Sequence, residues 1–119
     1  MTIIYNKLVR DKVPEKLVAS GQRPILTLVL GQEKLDAMCR KIVEEANELS
    51  SAETREAVTD KLADLLEIIA AYRNELGINA LDVSAAMQRR MRTDGGFQRG
   101  KFLLSSSSDS ILDTVRRRI

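Results

Sequence analysis

The sequence predicts an all-α domain with a minor β element, and three observations carry that reading. Hydrophobic residues make up 44% and charged residues 30% of 119 positions, enough for a packed core and too apolar for wholesale disorder. Aromatics are only 3%, which argues against aromatic-rich sandwiches and base-stacking modules and leaves helix-favouring aliphatic residues and Ala to dominate. Two long stretches carry apolar residues at steps of three and four, the spacing of one helix face.

The elements follow in order. Residues 2–5 form a short β-branched run and lead into a charged loop at 6–12. Pro14 suits a helix first turn and Gly21 a C-cap, so 13–20 reads as a short helix. Residues 25–30, ILTLVL, are a β-type run after Pro24 that Gly31 ends. Residues 32–49 place Leu35, Met38, Ile42, Ala46 and Leu49 on one stripe, and Cys39 at that spacing reads as core. A second long helix runs over 53–76 with Gly77 as its cap, and Asn79 with Asp82 resembles a capping box that starts a helix over 80–92. Residues 94–96 form a turn and 97–104 an extended segment. Residues 105–110 are Ser-rich linker, and 111–119 is a short amphipathic helix or tail. The expected organisation is therefore one domain over 1–104 and a tail over 105–119.

Composition narrows the chemistry. With no His, catalysis by Ser-His-Asp or Cys-His and His-ligated metals are excluded; one cysteine excludes internal disulfides and Cys-based zinc. A net charge of +2 is too balanced to point to nucleic acid. No stretch approaches the roughly 20 apolar residues of a membrane span, and the opening residues lack the apolar core of a signal peptide. The expectation is a soluble, cytoplasmic protein.

Acids carry the functional signal. On 53–76, Val58, Leu62, Leu65, Leu66, Ile69 and Leu76 cover one broad side, and Asp60, Asp64 and Glu67 share the narrow remaining stripe. A helix this apolar is expected to be buried on most sides, so its acids face a cleft or seam. Grouped carboxylates repel one another unless a cation sits among them, and hard oxygens suit Mg²⁺ or Mn²⁺. The preceding helix offers Glu44, Glu45 and Glu48, and an antiparallel pair would bring the two sets face to face. Lys41, one turn before Glu45, is placed to hold a carboxylate or a substrate phosphate. Taken alone, KIVEEANEL also fits an ordinary solvated face.

YNKLVRDKVPE (5–15), KIVEEANEL (41–49), KLADLLEII (61–69) and GGF (95–97) occur in that order. Together they resemble small MazG-like proteins related to phosphoribosyl-ATP pyrophosphohydrolase, of the all-α nucleoside triphosphate pyrophosphohydrolase superfamily. The resemblance spans about 2–104. It implies a four-helix, oligomeric bundle, at least a homodimer, and Mg²⁺-dependent cleavage of a nucleoside triphosphate to monophosphate and pyrophosphate in a house-cleaning role. By position it implies Glu45, Glu48 and Asp64 as catalytic, with Glu44 in the same acidic motif as a metal candidate; Asp60 and Glu67, from the acidic stripe, are further metal candidates that could compensate for a lost ligand. Lys7, Arg10, Lys12, Lys41, Arg90 and Arg92 are the candidates for phosphate binding, with Asp11 placed to anchor Arg10. Two positions depart from the family pattern: Lys61 stands where a Glu is usual, and Asp94 where an Arg is. Two other readings stay open. One is phosphoribosyl-ATP hydrolysis, against which the opening motif argues. The other is a catalytically weakened helical protein that binds a nucleotide or partner, which Lys61 favours.

Overall fold

Four helices, α1 Val13–Ala19, α2 Gly31–Ser50, α3 Arg55–Glu75 and α4 Ala80–Asp94, make up the regular structure of a computed structural model that describes residues 1–108. Among the described residues there is no strand, so the architecture is all-α. The segments 2–5, 25–30 and 97–104 are extended or irregular but unpaired, which corrects the expected β element. Ile25 and Leu28 lie almost fully in the open, so the β-type composition has no partner edge to satisfy it. The expected helix at 111–119 lies outside the described residues.

Local signals explain the helix ends. Pro14 occupies the first turn of α1. After α1 and α3, Gly21 and Gly77 take left-handed φ values of 87° and 70°. Each anchors a paired closure: Gly21 N donates to Val18 O and Gln22 N to Leu17 O, Gly77 N to Asn74 O and Ile78 N to Arg73 O. Thr54 caps α3, its hydroxyl accepting from Ala57 N at 3.1 Å. Asn79 caps α4 by accepting from Leu81 N at 2.8 Å, the role expected of it.

The chain divides into two units, Met1–Val83 and the residues from Ser84 onward. In the first, α2 and α3 pack against each other after the short connection 51–54. The pairing is antiparallel: Lys34 near the start of α2 meets Glu75 at the end of α3 at 2.9 Å, while Glu48 near the end of α2 meets Lys61 near the start of α3. Apolar burial in this seam is thin. Ala37 and Met38 are the buried apolar residues among those described, with Leu35, Ile42 and Leu49 half-buried. Cys39 is exposed, a correction to its expected core place, because a single neighbouring helix covers only a narrow strip of α2. It lies against Tyr72, whose phenol it pushes above its ordinary value by hydrogen bonding. Helix α3 has no buried residue, contrary to the burial its apolar composition implied; Leu62, Leu66, Ile69 and Leu76 are all exposed. No helix among the described residues is long and apolar enough to cross a membrane.

In the second unit, α4 continues to Asp94, where Arg90 and Asp94 pair one turn apart at 3.3 Å. Gly95 follows in the left-handed region at φ 82°, so the predicted turn at 94–96 forms as helix α4 ends.

Candidate functional site

The antiparallel seam brings the two acidic sets together around one lysine. Lys61, in the second turn of α3, points across to α2 and places its ammonium 2.6 Å from Glu48 Oε2 and 3.8 Å from Glu45 Oε2. On its own helix it also reaches Asp64 Oδ2, one turn on, at 3.4 Å. Its pKa is raised, chiefly by the Glu48 hydrogen bond and further by Glu45 and Asp64.

Glu45 is the deepest member. It is the buried charged residue among those described, at 7% exposure, and its Oε2 has no hydrogen-bond donor. Its other oxygen lies 3.4 Å from the Lys41 ammonium, one helical turn earlier. Lys41 lies equally far from Glu44.

The opening segment docks onto this acidic surface. Asn6 adopts φ 45°, a left-handed conformation that asparagine tolerates better than most residues. Next to it, Lys7 Nζ donates to Glu44 Oε1 at 2.8 Å. That bond holds Glu44 below the ordinary carboxylate value and Lys7 above the ordinary lysine value. Arg10 forks between Glu67 Oε2 at 2.6 Å and Asp64 Oδ1 at 2.7 Å, which raises its pKa. Its anchors are thus α3 acids, and not Asp11 as expected. A groove of about 250 Å³ lies alongside, lined by Tyr5, Asn6, Lys7, Arg40, Lys41 and Glu44 among others.

The structure therefore assembles Lys7, Arg10, Lys41, Glu44, Glu45, Glu48, Asp64 and Glu67 into one charged site. Asp60 is exposed and makes no ion pair among the described residues, consistent with its turn of about 100° away from Lys61 on the helix. Lys12 caps the start of α1 through its backbone, its side chain exposed. Arg90 and Arg92 belong to the second unit, where Arg92 lines a shallow groove with Met87 and Met91. Sequence reasoning missed Arg40, an exposed cation facing the groove with no ion-pair partner among the described residues. It read Lys61 as standing where the family has a Glu and did not foresee that its ammonium gathers the acids.

The family resemblance implies a divalent cation, and the acids fit one in kind. Glu45, Glu48 and Asp64 turn three hard oxygens toward one point, and a buried carboxylate oxygen there lacks a donor. The Lys61 ammonium stands at that point. Among the described residues no three Asp, Glu, Cys or His side chains stand in metal-ligating geometry.

Residues 11–91, which include both acid-bearing helices, match the family described as phosphoribosyl-ATP pyrophosphohydrolase. A phosphoribosyl-ATP pyrophosphatase of Pyrobaculum aerophilum is 34% identical over 92 residues, covering 75% of this chain and 96% of that protein. An uncharacterized protein of Mycolicibacterium smegmatis is 39% identical over 54 residues, 45% of this chain and 55% of its own length. No solved structure matches. On the span of that match and the placement of its acids on one antiparallel helix pair, the chain belongs to the phosphoribosyl-ATP pyrophosphohydrolase family, within the all-α nucleoside triphosphate pyrophosphohydrolase superfamily.

Proposed function

We propose that this chain hydrolyses the anhydride between the α- and β-phosphates of a phosphoribosyl-ATP-type nucleotide, releasing pyrophosphate and a monophosphate. The observation that supports it most is the convergence of Glu45, Glu48 and Asp64 from two antiparallel helices inside the matched span. In this reading Lys7, Arg10 and Lys41 trade carboxylate partners for phosphate oxygens, and Arg40 adds a cation already free to do so. Mg²⁺ or Mn²⁺ held by Glu45, Glu48 and Asp64 supplies, when bound, neutralisation of phosphate charge and a more acidic water. Glu45 Oε2, whose lone pairs no donor engages, accepts the proton of the attacking water. The new bond joins water oxygen to phosphorus, and the bridging oxygen leaves with its electron pair as pyrophosphate. Lys12, Arg90 and Arg92 are given no part in this scheme. A second copy of the chain belongs to the proposal, because α3 leaves its apolar face uncovered.

A second reading keeps the chemistry and changes the substrate to ordinary nucleoside triphosphates in a house-cleaning role. The docked opening segment favours it: Lys7 and Arg10 sit on the acids, yet the family match begins only at residue 11. Pyrophosphate release, with and without Mg²⁺, from phosphoribosyl-ATP and from a panel of ribo- and deoxyribonucleoside triphosphates separates the two. Preference for phosphoribosyl-ATP is expected. Faster turnover of a triphosphate selects the second reading, and no release from any substrate overturns both.

A further inference from the structure

We infer that Lys61 is a tethered counter-ion that stands in the cation position of the acid cluster, so that a divalent ion binds only by displacing it. The inference rests on the cation-site part of the function proposed above, and it concerns what this chain's own lysine does to that site.

The geometry is that of a cation in a coordination pocket. One ammonium meets three carboxylates from two helices, at 2.6, 3.4 and 3.8 Å. The deepest of them, Glu45, is more than nine-tenths buried and aims an undonated oxygen at the same point. A surface lysine making an ordinary helix pair would satisfy one acid; this one serves three that would otherwise repel one another. The ammonium can leave, because the Lys61 side chain remains 32% exposed on a flexible four-carbon stem. No other group is placed to take over fully: Lys41 is committed to Glu44 and to the far oxygen of Glu45, and Arg10 to Asp64 Oδ1 and Glu67.

Two consequences follow from charge alone. With Lys61 in place the cluster is partly neutralised without metal, so Mg²⁺ has little to add to stability. A unit charge about 4 Å from a divalent ion also opposes it by twice the unit-charge interaction, roughly a factor of 30 in affinity even in bulk water. Withdrawal of the side chain into solvent recovers part of that, leaving a penalty of about tenfold or more.

The test needs no nucleotide. Mn²⁺ binding is followed by the electron paramagnetic resonance signal of the free ion, on the full chain and on Lys61→Gln, Lys61→Arg and the double variant Lys61→Gln/Asp64→Asn. Lys61→Gln is expected to bind Mn²⁺ at least about tenfold more tightly than the parent. Lys61→Arg should stay as weak as the parent, and the double variant should lose the gain. In melting experiments Mg²⁺ should raise the parent's melting temperature less than that of Lys61→Gln, which should melt lower without metal and recover with it. Equal or weaker Mn²⁺ binding by Lys61→Gln overturns the inference. So does a Mg²⁺-induced rise in melting temperature as large in the parent as in Lys61→Gln, with Lys61→Met taking its place in the same comparison where Lys61→Gln does not fold. Because ion binding is read apart from turnover, failure here leaves the hydrolase reading intact, and absence of pyrophosphate release leaves this one intact.

Discussion

Glu45 is where the site departs furthest from what stability alone would select. Its carboxylate is buried at 7% exposure with one oxygen undonated, an arrangement that costs about 1–3 kcal/mol for a polar group of this kind. Replacement by the isosteric amide should therefore keep the fold, with a melting temperature equal to or above the parent's. Pyrophosphate release by Glu45→Gln, and likewise by Glu48→Gln and Asp64→Asn, should fall by at least about a hundredfold, the scale of a lost acid–base group. Turnover at the parent rate in all three would reduce the acids to charge balance between helices. The Lys7–Glu44 pair makes a different prediction. Its hydrogen bond holds Glu44 below its ordinary value of 4.5, so the unfolded chain binds more protons than the folded one near that pH. The pair's contribution is full above that value and is lost as pH falls through the depressed one; at the alkaline end it persists until pH passes the raised value of Lys7, beyond 10.5. Both side chains are part-exposed, so the contribution is about 0.2–1 kcal/mol. Glu44→Gln should lose that much at neutral pH by chemical denaturation, and the gap should close as pH falls through the depressed value of Glu44.

At the scale of the element, the helix ends show which sequence signals are self-sufficient. Thr54 holds the first turn of α3 through one hydroxyl contact, and α3 carries Lys61 and Asp64 within its first half. Thr54→Ala should cost about 1 kcal/mol in denaturant unfolding while Thr54→Ser costs little. A loss no larger for Ala than for Ser would show that tertiary pairing with α2 alone fixes this end. The glycine caps after α1 and α3 were legible in the sequence because a left-handed residue closing a helix is a local event. The long helices were legible for the same reason, since their period is written within one element. What failed depended on partners. The run at 25–30 has β composition, but β preference records the fit to a neighbouring strand, and the described chain supplies none. Cys39 shared the stripe spacing of α2, yet its burial depended on how many helices cover that face. In the site, helical spacing grouped Asp60, Asp64 and Glu67 on one helix and Glu44, Glu45 and Glu48 on the other, and the family resemblance singled out Glu45, Glu48 and Asp64. It could not show Lys61 reaching Glu48 on another helix, or Arg10 reaching acids more than fifty residues away.

At the scale of the whole molecule, the apolar accounting of one chain does not close. Helix α3 exposes Leu62, Leu66 and Ile69 at successive helical steps, with Leu76 beyond its last turn, and Leu66 is 66% exposed. Full burial of one such side chain is worth about 1.5–3 kcal/mol, so a stripe of four left in water is a substantial forgone stabilisation. On α2, Val43 is also exposed, and the buried apolar residues of the described chain are just Ala37 and Met38. A contiguous exposed apolar stripe of this kind marks an association surface more often than it does a bare monomer. The stripe is carried by the helix that holds Asp64, so covering it would also stiffen one wall of the acid cluster. We expect a homodimer or larger assembly in solution, with a melting temperature that rises with protein concentration. Leu66→Glu places a charge on the most exposed leucine of the stripe and makes no change to any ion pair of the site. It should shift the mass measured by light scattering toward that of a single chain and lower the melting temperature. A parent protein that scatters as a stable 13.3 kDa particle at micromolar concentration would sink the expectation, and the exposed stripe would then need another occupant.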